Sequence, residues 1–445
     1  LVGSEMCIRD RMGPQDQSLS INFWYNIRIH MSSMQLRPHQ AEALDVMDQK
    51  SKGIVVVPTG GGKTFIAIAD AMREMDKMEG CKTIVVVAPR LLLARQLSDE
   101  FTQHIKNAAV LHVHSGGNDL PYHCTTDPSM IFKWDYHTTC HKLIFTTYHS
   151  LHRIQESKIV VDCIYFDEAH NSVKKNFFGA ARYYTSAARR CYFFTATPKY
   201  SATLKRHGMN DSVYGGIIYN VPAPRLIKNG SILPPKINAI PIAAIREKTV
   251  EEAAQRDCMT LLRTLRNEDH MQKVLIAAPN TTVLGNMIIK TTFLQEARQM
   301  GYDILWITSR QGAFHNYNKI SREKFFSLVR EYGDQPDKKF IVIHYSILSE
   351  GISVPGLTSL VLMRQMNVIE MCQSVGRVLR LHLDDVKRIQ QGQLTPGKLE
   401  DYKKSFGLVH VPVYSNVGIS TVKRLQDVVN TVFVEGKPAI STVKR

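Results

Sequence analysis

No apolar run in this 445-residue chain approaches the roughly 18 residues a helix needs to cross a bilayer, and its opening lacks the basic, apolar, small-residue order of a secretory signal. A soluble intracellular protein is the expectation, cytoplasmic or nucleoid-associated, or virus-encoded and acting in a host cell. No CxxC pair occurs: the eight cysteines, at 7, 81, 124, 140, 163, 191, 258 and 372, are scattered, as free thiols in a reducing compartment are. Acidic side chains are in deficit, 40 against 56 Lys and Arg, leaving a formal charge of +16. That excess favours an anionic partner, nucleic acid first and an acidic membrane surface second. With 44% apolar and 22% charged residues, collagen, coiled-coil and disordered chains are excluded. At about 100 to 200 residues per domain, the length suggests two to four domains.

The two ends stand apart. Residues 1–33 have no sustained period, and Leu1-Val2-Gly3-Ser4-Glu5-Met6 resembles a translated sequencing linker, which would put the native start at Met31 or Met34. Near the other end Ile419–Arg424 (ISTVKR) recurs as Ile440–Arg445, and the pairs Val411/Val413 and Val432/Val434 align with it. Two similar strand-turn units fit this repeat.

Between them, short runs rich in β-branched residues alternate with amphipathic stretches: 54–57, 84–88, 143–145, 164–166 and 192–194. After a Pro/Gly-rich passage, 214–235, the pattern restarts at 274–278, 304–307, 340–343 and 360–362. Buried parallel strands have this character, so two α/β domains and a linker are expected. In such sheets ligands lie beyond the carboxyl ends of the strands, which directs attention to the residues after each run.

After the first run comes Pro58-Thr59-Gly60-Gly61-Gly62-Lys63-Thr64, then an apolar helix start, Phe65-Ile66-Ala67. Strand, glycine loop and helix in this order make a phosphate-binding loop. The glycines let backbone N–H groups converge on phosphate oxygens, Lys63 reaches the β- and γ-phosphates, and the Thr64 hydroxyl binds Mg²⁺. Val57 stands where the general motif has its first glycine. After 164–166 come Asp167-Glu168-Ala169-His170. Adjacent carboxylates at a strand end repel unless a cation or proton relay absorbs them, and Mg²⁺ on Asp167 with Glu168 polarising the attacking water would do both.

These residues and those that follow resemble a superfamily-two nucleic-acid helicase or translocase of the DEAH-box type. Leu36-Arg37-Pro38-His39-Gln40 is similar to the adenine-reading element. Val87-Ala88-Pro89-Arg90 and Thr146-Thr147-Tyr148-His149-Ser150 resemble strand-backbone contacts, and Thr195-Ala196-Thr197-Pro198 the segment that couples hydrolysis to movement. Ser349-Glu350-Gly351-Ile352-Ser353-Val354-Pro355 is similar to motif V, with Ser353 where Asp is common. Gln373-Ser374-Val375-Gly376-Arg377-Val378-Leu379-Arg380 is similar to the arginine-bearing motif VI.

The resemblance runs from Leu36 to Leu381. It implies tandem RecA-like α/β domains with parallel sheets and an ATP site in the cleft between them: domain 1 over 34–213, a linker over 214–240, domain 2 over 241–405 and a tail over 406–445. Catalytic roles fall to Lys63, Asp167, Glu168, Arg377 and Arg380. ATP contacts fall to Arg37, Gln40, Pro58, Thr59, Gly60, Gly61, Gly62, Lys63, Thr64, Gly351 and Ser353, and Mg²⁺ to Thr64 and Asp167. Coupling falls to His170, Thr195, Thr197 and Gln373, and nucleic-acid contact to Pro89, Arg90, Thr147, Ser150, Asn280 and Thr308. DNA is expected over RNA because the linker, with Ile232-Leu233-Pro234, resembles DNA-repair, type III restriction and phage recombination helicases. A duplex translocase that leaves strands paired, and a P-loop switch ATPase with no nucleic-acid substrate, are the alternatives.

Other features point elsewhere less strongly. His112, His114, His123, Cys124, His137, Cys140 and His141 crowd one segment without the paired spacing of a zinc site, so an irregular polar insertion is expected. Trp306 reads as core. The basic pairs Lys174-Lys175, Arg189-Arg190, Lys403-Lys404 and Lys423-Arg424 each read as solvated surface.

Overall fold

The computed structural model describes residues 35–77, 80–116, 123–203, 205–242, 249–345, 354–413 and 416–443. The opening segment 1–33 and the motif V residues Gly351 and Ser353 lie outside the described residues.

The first sheet is built from β1 (Lys52–Val56), β2 (Thr83–Ala88), β3 (Ala108–Val113), β4 (His123–Cys124), β5 (His141–Thr147), β6 (Cys163–Phe166), β7 (Arg190–Thr195) and, after the short β8 (Lys199–Ser201), β9 (Ile217–Asn220). Its order is β4-β3-β5-β2-β6-β7-β1-β9 and every pairing is parallel. Helices α1 (Pro38–Gln49), α2 (Lys63–Met75), α3 (Leu91–His104), α4 (Pro128–His137), α5 (Leu151–Ser157) and α6 (Lys175–Ala187) flank it. Coverage on both faces explains the unbroken apolar strands: Val55, Ile84 and Val86 enter one core, while Ile54, Val56, Val85 and Val87 enter the other.

After α7 (Ala223–Lys228), the second sheet contains β10 (Pro235–Pro241), β11 (Lys273–Ala277), β12 (Asp303–Thr308), β13 (Gly312–His315), β14 (Asn318–Ile320), β15 (Phe340–His344), β16 (Ser359–Leu362) and β17 (Gly407–Val413). Its order is β10-β17-β16-β11-β15-β12-β13-β14. The parallel expectation fails at one edge, where β13 and β14 turn back antiparallel to β12. Trp306 is indeed core, stacked on Phe314 of that hairpin with centroids 4.0 Å apart. The helices are α8 (Val250–Asn267), α9 (Thr281–Lys290), α10 (Phe293–Gln299), α11 (Arg322–Asp334), α12 (Val368–Val378), α13 (Leu383–Gln390) and α14 (Asn416–Val429).

Sheet pairing divides the chain differently from the composition. The passage 214–240 gives β9 to the first sheet and β10 to the second, and the tail 406–445 begins with β17, an interior strand of the second sheet. One apolar core is continuous between the sheets: Val55 and Val86 join Leu275 and Val342 through Val221, Leu226 and Ile232. The repeat does not form two similar units. Ile419–Arg424 lies within α14, Val432 and Val434 lie in a π-turn, and Ser441–Val443 form β18, parallel to β8.

Three histidines in these cores stay neutral. Burial lowers the pKa of His112 to about 4, with neighbouring positive charge adding to the effect, that of His344 to about 3 and that of His410, on β17, to about 4. Both ring nitrogens of His410 lack hydrogen-bond partners. Because the unfolded chain protonates near pH 6.5 and the folded chain does not, their contribution is fully present above that pH and is lost as pH falls towards 4. At pH 5.5 each costs about 1.4 kcal/mol. Thermal melts of wild type and His410→Leu at pH 7.5 and 5.5 should therefore show a smaller acid-induced drop in the variant; equal drops would mean that His410 is protonated in the fold.

Candidate nucleotide and nucleic-acid sites

The carboxyl ends of β6, β7 and β1, adjacent in the first sheet, deliver Asp167-Glu168, Thr195-Ala196-Thr197 and the glycine loop to one edge. The loop reverses through Gly60 and Gly62, at φ 87° and 85°, a region that favours glycine. Gly62 caps α2, so free N–H groups of the first turn face the same space as Lys63 and Thr64. Among the described residues, the Lys63 ammonium donates only to the Val57 carbonyl, at 3.5 Å.

A cavity of about 430 Å³ lies over this loop. Arg37, Gln40, Lys63, Thr64, Asp167 and Glu168 line it from the first domain, and Gln373, Arg377 and Arg380 from the second. Thus all five expected catalytic residues meet at one place. Burial and the neighbouring Glu168 carboxylate push Asp167 up to about 7, against the pull of Lys63. Burial draws Arg377 down to about 10, with Arg380 adding repulsion and Glu168 opposing it. Like charges are crowded on each side of the cleft.

The coupling candidates form a chain. His170 Nδ1 is 3.5 Å from Glu168 Oε2 and 3.3 Å from Thr195 Oγ1, and the Thr195 hydroxyl accepts from the Thr197 backbone N–H at 3.1 Å. Three buried polar atoms on residues lining the cavity, Thr59 Oγ1, Glu168 Oε2 and Gln373 Nε2, have no hydrogen-bond partner among the described residues, the Glu168 oxygen having only the 3.5 Å approach of His170. An anion and its cation would satisfy such a set, so the donors and carboxylates suit a magnesium nucleotide.

The sequence directed attention to Gln40 but not to how it is held. Its Oε1 accepts from the Arg37 backbone N–H at 2.9 Å and its Nε2 donates to the Gly62 carbonyl at 3.4 Å, while the neighbouring His39 ring meets the Gly61 carbonyl at 2.8 Å. Also missed were Gln96 and Glu100 on α3, which line the cavity and are joined by a 2.9 Å hydrogen bond. Their four-residue spacing on one helix face was the available signal.

A second cavity, about 610 Å³, contains Pro89, Arg90, Thr147 and Ser150, with Lys174 and Phe177 beside them and Arg322 and Phe326 of α11 opposite. Asn280 and Thr308 do not line it. The Asn280 carboxamide caps α9, accepting from the N–H groups of Thr282 and Val283, and the Thr308 hydroxyl accepts from the Gln311 N–H. Of the crowded histidines and cysteines, His112 and His114 bond each other at 3.1 Å and Cys124 lies 3.6 Å from His114 Nδ1. The basic pairs are not uniformly solvated: Arg190 pairs with buried Asp70 at 2.9 Å, and Lys404 is buried.

Residues 33–200 match the family described as type III restriction enzyme, res subunit. A viral protein named "Putative helicase 22", from Sulfolobus islandicus filamentous virus (isolate Iceland/Hveragerdi), is 20% identical over 381 residues, covering 79% of this chain and 63% of its own length. The ATP-dependent Type ISP restriction-modification enzyme LlaBIII bound to DNA superposes over 92% of this chain and 31% of its own, with TM-score 0.66 and 14% identity. This is a superfamily-two helicase or translocase fold. A nuclease-deletion mutant of the Type ISP enzyme LlaGI, in complex with a DNA substrate mimic, also matches, with TM-score 0.60, 16% identity and coverage of 92% of this chain and 30% of that one. The superfamily-two core described here therefore spans under two thirds of each of these relatives. Among its described residues no helix is long and apolar enough to cross a membrane.

At one point the two halves of this core meet with a side chain from one half alone, that of Thr59 against Gly376. A Cβ on Gly376 of α12 would lie 2.3 Å from Thr59 Cβ. Gly376→Ala should push α12 off the loop and lower nucleotide turnover by about 100-fold, the scale of a 1 Å misplacement, with little change in melting temperature. Turnover near wild type would show that the loop yields freely.

Proposed function

We propose that the chain is an ATP-dependent nucleic-acid helicase or translocase, acting on DNA in preference to RNA, that couples hydrolysis to closure between its two domains. One juxtaposition carries this reading: Lys63, Asp167 and Glu168 of the first domain share a cavity with Arg377 and Arg380 of the second. A bound magnesium nucleotide supplies the phosphoanhydride to be hydrolysed. Lys63 and the loop N–H groups bind its phosphates, Thr64 and Asp167 hold the metal, and Glu168 takes the proton of the attacking water. Arg377 and Arg380 stabilise negative charge from across the cleft, so chemistry requires the closed arrangement. Arg37 and Gln40 face the base. His170, Thr195, Thr197 and Gln373 relay closure from Glu168 towards the other cavity.

That other cavity supports the polymer side of the reading. Arg90, Lys174 and Arg322 offer cations to phosphates, Thr147 and Ser150 offer hydroxyls, and both domains contribute to the walls. A strand lying there binds the closed state better than the open one and so accelerates turnover. Asn280 and Thr308 would join these contacts from the second domain only after giving up their present partners. DNA is favoured because both structural relatives are complexes with DNA or a DNA mimic.

Steady-state ATPase with no polymer, single-stranded DNA, duplex DNA and RNA tests this directly. Lys63→Ala should abolish turnover, and Glu168→Gln should keep nucleotide binding while losing hydrolysis. Arg380→Ala should remove about 10³-fold of the polymer-stimulated rate. The polymer concentration for half-maximal stimulation should rise steeply with salt, whereas basal turnover should not. Stimulation without strand displacement would favour the duplex translocase. Equal rates with and without every polymer at low salt would reject the motor in favour of a switch ATPase.

A further inference from the structure

The basic pair that the sequence assigned to solvent holds a different position. Lys404, between α13 and β17, is 9% exposed, and its ammonium donates to three main-chain carbonyls: Leu357 at 2.6 Å, Val378 at 2.7 Å and Arg380 at 2.8 Å. Val378 is the last residue of α12, and Arg380 follows it. The carbonyl between them, on Leu379, accepts from the Leu233 N–H at 2.7 Å. Three successive carbonyls at the end of the motif VI helix are thus satisfied from outside the helix, two of them by one cation.

We infer that Lys404 is a positioning residue for the arginines of α12, holding Arg377 and Arg380 at the nucleotide cavity by clamping the carboxyl end of their helix. This rests on the proposed role of those arginines in hydrolysis. A cation at a helix carboxyl terminus is favoured by the helix dipole, and satisfying its free carbonyls fixes where the helix stops. Here that point sets the side-chain origin of Arg380 and, one turn back, of Arg377.

Lys404 is itself anchored. The Asp385 carboxylate, fully buried on α13, accepts from the backbone N–H groups of Lys403 at 2.9 Å and Lys404 at 3.1 Å. Its oxygens hold the main chain and not the ammonium, so the charge of Lys404 is answered mainly by carbonyl dipoles. Burial, with Arg380 adding repulsion, lowers the Lys404 pKa to about 7, against the pull of Asp385. The packing leaves no slack: a Cβ on Gly407 would lie 2.4 Å from the Val378 carbonyl oxygen. A lysine buried at such cost, with two of its three donors at the carboxyl end of the helix that carries the arginines and the third on Leu357, is suited to fixing their geometry. The adjoining cavity, about 430 Å³ and lined by Lys273, His382, Lys403 and Lys404, gives no sign of a ligand of its own, since Lys273 is likewise spent on the Gly333 and Gln335 carbonyls.

The test is a double-mutant cycle on the full chain, read as polymer-stimulated kcat, KM for ATP and melting temperature. Lys404→Met should lower kcat by about 100-fold, the scale of a misplaced catalytic group, and leave KM within about twofold. Combined with a variant carrying both Arg377→Ala and Arg380→Ala, it should add nothing to the loss caused by that pair alone. Asp385→Asn, which keeps the shape but weakens the anchor, should show the same kcat-only loss to a smaller degree, and it decides the matter if Lys404→Met does not fold. Wild-type kcat in Lys404→Met, or in Asp385→Asn where that variant decides, would overturn the inference. So would a loss that multiplies with that of the paired arginine variant, or one confined to KM. If Arg380→Ala itself leaves turnover intact, the hydrolytic role of the arginines fails first and this inference falls with it.

Discussion

The nucleotide cavity depends on how closely α12 approaches the glycine loop. Gly376 lies against Thr59 with room for hydrogen alone, and that approach brings Gln373 and Arg377, three residues before and one after, over Lys63 and Glu168. The linker reinforces it, since Leu226 and Ile232 touch Gly61 and Gly60 and belong to the core shared by both sheets. The geometry of the candidate site is therefore a packing property first, and side-chain chemistry is arranged on top of it.

Charge works against that packing. Asp167 and Glu168 crowd one wall and Arg377 and Arg380 the other, each partly stripped of water, so the arrangement carries an electrostatic strain that a multivalent anion with its cation would relieve. The three unpartnered polar atoms lining the same space make the same demand in hydrogen-bond terms.

The motifs and nine of the strands were legible because they depend on local pattern: apolar β-branched runs, glycines at positive φ, and paired carboxylates after a strand. What was not legible depends on partners distant in sequence. The hexapeptide ISTVKR is helical at 419–424, where Val422 packs against the core, and its second copy supplies a strand at 441–443 beside β8, so identical residues take the structure their neighbours impose. The passage 214–240 looked like a linker because prolines and glycines mark turns, yet β9 and β10 find partners within it. Lys404 reads as surface from its composition and neighbours, and only the fold brings three carbonyls to it.

The return of the chain through β18 has a mechanical consequence. After α14, held to the second domain by the Arg424 contact with the Met366 carbonyl, the π-turn packs on α7, and Ser441 bonds the Pro198 carbonyl beside β8. The polypeptide therefore crosses between its halves twice, at separated points. A body joined to another at one point can swing in any direction, whereas two points define an axis. Two crossings thus restrict relative displacement more than one would, in addition to the apolar core that the two sheets share. The second crossing meets the first domain at Pro198, the residue after Thr197, so a pull along the tail arrives beside that candidate coupling residue.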